Sequence, residues 1–254
     1  MSDYLAPLDD MNFLLSEVVD FPNVVEQTGC TDASPDLVSA ILEEAGKLAT
    51  SVIAPLNRVG DTHGVQLTDE HNVLTPNGFA EAYQEYVNGG WGSLQFDPQF
   101  VGQGLPFSLA IPVQEMWHSA NMAWGLCPLL SQGAVEAISA NASEELKTQY
   151  LPQMISGEWS GTMNLTEPNA GSDLAAVSAK AVPDGDHYRV YGQKIFITWG
   201  EHSMSDNIIH LVLARLPDAP PGVKGISLFL VPKFLVNADG SLGERNDCKA
   251  ISLE

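Results

Sequence analysis

The chain has 254 residues, 44% of them apolar, enough for one or two globular domains with a sizeable core. Its 11 basic side chains against 32 acidic ones give a formal net charge of -21, which repels phosphate backbones and anionic membrane surfaces and argues against nucleic acid as a partner. The 3 cysteines, Cys30, Cys127 and Cys248, stand in no metal-binding or disulfide spacing, and the acidic start MSDYLAPLDDMNF is unlike a signal peptide, so a cytoplasmic protein without a membrane span or metal site is expected.

In chain order, the first strong pattern is SPDLVSAILEEAGKLATSVIAPLNR, where Ser34 caps, Pro35 fits a first turn, and Leu37, Ile41, Leu48 and Val52 recur at helical spacing. Thr75-Pro76 opens a second helix with Phe79, Ala82, Tyr83 and Tyr86 on one face, stopped by Gly89-Gly90. Further helices are expected over Pro106 to Ala123, Leu129 to Ala140 and Ser143 to Ile155. Beyond Gly157 the pattern changes to short β-rich runs, HYRVYG, KIFITWG, NIIHLVLARL and GISLFLVPKFLV, separated by turn clusters. This predicts an α+β chain: an all-α domain over residues 1–157, then an antiparallel β-sheet or barrel over residues 158–254. The final KAISLE reads as the start of another strand, so the β domain is expected to be incomplete and the sequence to be the front part of something longer.

Glycines 89, 90, 92, 102 and 104 form no GxGxxG between a strand and a helix, which sets aside a Rossmann site. The 6 histidines include no HExxH, and Ser172 lies in no nucleophile elbow. An acidic surface still allows a coenzyme, because backbone N–H groups can bind phosphate locally. The segment TMNLTEPNAGSDL, Thr162 to Leu174, is the polar exception: an extended start, Pro168 against a regular ladder, and a turn at Asn169-Ala170-Gly171 turn hydroxyls and N–H groups to one side. Taken alone, it reads better as a capped β-turn in which Ser172 or Asp173 starts a short helical turn at Leu174-Ala175-Ala176. In GQKIFITWG, strand alternation would put Phe196 and Thr198 on one face, an aromatic plane beside a hydroxyl.

Together, YLPQMISGEWSGTMNLTEPNAGSDL and GQKIFITWG closely resemble the start of the middle domain of acyl-CoA dehydrogenases. DPQFVGQGLP resembles that family's Pro-x-x-x-Gly-Gly-x-Gly segment, with Val101 where the first of two glycines is usual. PLNRVGD and GVKGISLFLVPKFLVNADGSLGERND resemble a longer bacterial branch that includes enzymes acting on 3-methylmercaptopropionyl-CoA.

The resemblance implies FAD as cofactor and an acyl-CoA thioester as substrate. It places Met163, Leu165 and Thr166 beside the isoalloxazine, Phe196 against it, Thr198 near its N5 edge and Ser172 on the CoA portion. Trp199 stands where Asn is more common. The implied reaction removes an α-proton to a base and a β-hydride to flavin N5. That base, normally a Glu of a C-terminal helical domain, is not in this sequence, so no catalytic residue is assigned; Glu167 is read as a structural hydrogen-bonding group. A homo-oligomer passing electrons to electron-transfer flavoprotein is also implied. Two rivals remain: a non-catalytic flavin- or CoA-binding module, and an acyl-CoA oxidase.

Overall fold

The computed structural model describes residues 4–30 and 32–253. Helix α1 (Leu8–Phe13) widens into a π-helical turn and is followed by α2 (Phe21–Thr28). A longer rod follows: α3 (Pro35–Leu48), a π-helical turn over Ala49–Ile53 and α4 (Ala54–His63). Ser34 caps it as expected, accepting from the Leu37 N–H at 3.2 Å. Pro55 has no N–H to give the preceding turn, and the ladder loosens into its π-helical form just ahead of it.

The buried stripe of this rod is Val38, Leu42, Ala45, Ala49 and Ile53, one position round from the predicted one. Leu37 is exposed, while Ile41, Leu48 and Val52 are half-buried at the margin of the core. The two apolar stripes adjoin, and the one bearing the small Ala45 and Ala49 allows the closer helix approach.

A short antiparallel pair, β1 (Gln66–Leu67) with β2 (Val73–Leu74), precedes α5 (Phe79–Asn88). The predicted face of α5, Phe79, Ala82, Tyr83 and Tyr86, is fully in the core. Helices α6 (Phe107–Ala120), α7 (Met122–Asn141) and α8 (Glu144–Ser156) complete the helical part. The α6 to α7 boundary differs from expectation because Asn121, not Pro128, punctuates the chain: its side chain accepts from the Trp124 N–H at 3.1 Å, and α7 runs through Pro128.

From Trp159 onward the chain forms a mixed sheet, which corrects the antiparallel expectation. The central strand β6 (Asn207–Arg215) pairs in parallel with β3 (Trp159–Asn164) and antiparallel with β7 (Ile226–Pro232). Strand β4 (Lys180–Asp184) meets β6 in parallel at Lys180 and Arg215, and β5 (His187–Tyr191) closes a hairpin on β4. The chain between β3 and β6 is long enough to cross over and return in the same direction, which a tight hairpin cannot do. A second pair, β8 (Phe234–Val236) with β9 (Leu242–Arg245), follows.

KIFITWG is not a strand: Phe196 and Trp199 have φ of 56° and 54°, left-handed conformations that interrupt any ladder. Within KAISLE, residues 249–253 also form no strand, and Glu254 lies outside the described residues. Among the described residues, no helix is long and apolar enough to cross a membrane.

Strand β3 joins the two parts. Its Trp159 and Met163 pack into a cluster with Val135, Ile138, Leu151, Ile155 and Leu211. Gly161 makes the contact close, since a Cβ there would lie 2.6 Å from the Ala134 Cβ on α7. Ser160, Thr162 and Asn164 alternate onto the opposite face.

Val101 has φ of 63° at the end of a short 3-10 turn, a left-handed conformation that favours glycine. A β-branched residue is strained in this conformation. Val101→Gly is expected to raise stability by about 1 kcal/mol, strain relief outweighing the greater chain entropy of glycine. Gly102→Ala should be strongly destabilising, because its Cβ would sit 2.0 Å from the Phe96 carbonyl oxygen. Urea denaturation midpoints of the two variants check both signs.

Candidate flavin-binding corner

The polar segment leaves β3 at Asn164 and turns back sharply. Glu167 and Ala170 exchange two backbone hydrogen bonds of 3.0 Å, so the turn is centred on Pro168 and Asn169. Gly171 is outside it and is not left-handed, which shifts the predicted turn toward the N-terminus. The predicted helical turn forms at Leu174–Ala176, with Asp173 as its cap, accepting from the Ala175 N–H at 3.0 Å. Ser172 is exposed beside it.

Glu167 fastens this corner. Only 2% exposed, its carboxylate accepts from the Ser178 hydroxyl at 2.6 Å, the Ser178 N–H at 2.7 Å, the Ala179 N–H at 3.0 Å and the Lys194 ammonium at 2.8 Å. Burial by itself pushes the carboxyl up, but the hydrogen bonds from Lys194 and from the Ser178 side chain, followed by those from the two backbone groups, outweigh it and hold the carboxyl down at about 2. The structural role expected for Glu167 is the one found.

The same Lys194 also donates to the Leu165 carbonyl at 3.1 Å, which ties the corner to the second segment. The Ile195 N–H donates to the Thr166 carbonyl at 2.9 Å, and the Thr162 hydroxyl donates to the Thr198 carbonyl at 2.8 Å. The two segments therefore run side by side in opposite directions. Phe196 and Thr198 reach their positions through this irregular, left-handed loop rather than by strand alternation. Phe196 is 64% exposed although its backbone is strained.

Leu165 and Thr166 lie half-buried in the corner, whereas the Met163 side chain faces the apolar cluster against α7 and α8. Among the described residues, the Thr166 N–H, the Thr166 hydroxyl and the Thr198 hydroxyl have no partner. An exposed aromatic plane beside unengaged donors fits a flat conjugated ring with polar edges, so these residues are compatible with a flavin. Lys194 and Ser178 were not legible as parts of the site, because each joins it through a hydrogen bond to Glu167 that no local pattern announces. The one hint was the isolated Lys194 in an otherwise apolar run.

Residues 35–158 match the acyl-CoA dehydrogenase N-terminal domain and residues 162–247 match the acyl-CoA dehydrogenase middle domain. The chain belongs to the acyl-CoA dehydrogenase family. The 3-methylmercaptopropionyl-CoA dehydrogenase of Ruegeria pomeroyi is 46% identical over 252 residues, which is 99% of this chain and 43% of that protein. The crystal structure of an acyl-CoA dehydrogenase from Geobacillus kaustophilus, 28% identical, superposes with a TM-score of 0.61, covering 73% of this chain and 45% of that one. PigA with FAD and proline, 25% identical, superposes with a TM-score of 0.61 over 77% of this chain and 48% of that one. This chain thus spans less than half the length of each of these proteins.

Glu167→Gln should cost stability at neutral pH on the order of 3 kcal/mol, the linkage value of a carboxyl moved from 4.5 to about 2. A depressed carboxyl stabilises the fold above pH 4.5, and that contribution disappears as pH falls toward 2. The gap between wild type and variant should therefore close across this window, measurable as unfolding free energy against pH.

Proposed function

We propose that the protein is an FAD-dependent acyl-CoA dehydrogenase, with residues 1–157 and 158–254 as its helical and β domains. The observation that carries this reading is the corner in which Phe196, Thr166 and Thr198 are held by Thr162, Glu167 and Lys194. When bound there, FAD supplies the acceptor for the hydride leaving the substrate's β-carbon.

The chain's own residues then divide the work. Thr166 offers its N–H and hydroxyl, and Leu165 and Met163 offer backbone, to the polar edge of the ring. Thr198 offers a hydroxyl to the edge where charge accumulates during reduction, a fixed donor that needs no reorganisation. Phe196, largely exposed at the corner, would lie against the ring's face. Ser172, exposed just ahead of the Leu174–Ala176 turn, is assigned to the CoA portion. None of these groups is placed to remove the α-proton, so no base is assigned among them. A cytoplasmic homo-oligomer with electron-transfer flavoprotein as acceptor completes the proposal.

The protein as its source makes it should carry FAD whose visible absorbance bleaches anaerobically with an acyl-CoA. An unchanged spectrum across a broad thioester panel would refute the dehydrogenase reading and leave the binding module, whereas peroxide formed in air would favour an oxidase. Thr198→Val should keep most flavin affinity and slow reduction by about tenfold or more, the effect of losing one donor at a developing charge. Stopped-flow reduction at wild-type rate would remove Thr198 from its assigned role.

A further inference from the structure

We propose that Ser160 and His202 are positioning residues for the loop that carries Phe196 and Thr198; this rests on the flavin reading of that loop. Alternate residues of β3 seat the loop in order. Thr162 donates to the Thr198 carbonyl at 2.8 Å, and Ser160, one step back on the same face, meets the His202 Nε2 at 3.1 Å. His202 is 1% exposed, and its Nδ1 accepts from the Met204 N–H at 3.2 Å. In the neutral ring this leaves Nε2 as the donor to Ser160. Burial, followed by the neighbouring Lys233 and His210, pushes the imidazole down to about 3, in agreement with the neutral ring.

The donors then line up. Ser160 donates to the Ser205 hydroxyl oxygen at 2.9 Å, and Ser205 donates to the Asn207 carbonyl at 2.8 Å, on the first residue of β6. From the other side, Lys233 donates to the His202 carbonyl at 2.8 Å and pairs with Glu201. The His202 and Trp199 rings meet in a T-shaped contact, with centroids 5.4 Å apart and planes at 82°. Trp199 is further tied to the start of α7 by its indole N–H, 2.9 Å from the Ala123 carbonyl. The left-handed backbone at Phe196 and Trp199 is costly and persists only where its surroundings over-determine it. His202 and Ser160 supply that constraint at the loop's C-terminal end, as Lys194 does at its start.

The test uses the FAD-bearing protein as its source makes it, with Ser160→Ala and His202→Leu. Two readouts are taken: trypsin cleavage after Lys194, which reports loop opening, and the visible flavin spectrum with the FAD dissociation constant. Faster cleavage, a displaced flavin band and FAD affinity weaker by about tenfold are expected in both variants, the loss of one net hydrogen bond. Wild-type cleavage, or a loosened loop with an unchanged flavin, overturns the positioning role. If His202→Leu does not fold, Ser160→Ala decides, since it deletes one oxygen and leaves the imidazole. A wild-type protein that takes up no FAD contradicts the flavin reading itself, whatever the loop does.

Discussion

The candidate site depends on the ion pair between Glu167 and Lys194, with side chains 2% and 8% exposed. Burying both charges is costly, and such pairs contribute less to net stability than to fixing a geometry. Here the geometry is the relation between two segments distant in sequence. Lys194 reaches both the Glu167 carboxylate and the Leu165 carbonyl, so the turn after β3 and the Phe196 loop cannot move independently. The remaining carboxylate capacity goes to Ser178 and Ala179, just ahead of β4, which brings a third part of the chain to the same carboxylate.

Strand β3 gives this arrangement a rigid base. One face is apolar and pressed so closely against α7 that only glycine fits at position 161. The other face carries Ser160, Thr162 and Asn164, of which the first two hold the loop. The helical part therefore acts on the site through β3: it fixes the strand, and the strand fixes the loop. The strained conformations at Phe196 and Trp199 follow, because a relaxed loop could not meet all of these contacts together.

The order of helices followed by strands was legible in the sequence because apolar period switches near Gly157. The buried stripe on α3 lies one position from the expected one, since two adjoining apolar stripes satisfy the same periodicity and packing against neighbouring helices selects between them. The parallel pairing of β3 with β6 was not legible, because it depends on a crossover and not on any local turn signal. In GQKIFITWG the alternation of apolar residues pointed to a strand, yet tertiary bonds to Thr162, Thr166 and Ala123 impose left-handed turns on residues that favour extended backbone. The site residues were named through family resemblance, and the side chains that hold them, Lys194, Ser160 and His202, lay beyond pattern reading.

The likeness to 3-methylmercaptopropionyl-CoA dehydrogenase extends along 99% of the chain and so takes in both segments of this corner. The role proposed for the corner between Thr162 and Thr198 is to hold a flavin. Its most direct test is an experimental structure of the protein as its source makes it, with FAD bound. An isoalloxazine ring against Phe196 is expected, with the Thr166 N–H in hydrogen-bond contact with its polar edge. A flavin bound elsewhere, with this corner facing only solvent, would contradict it.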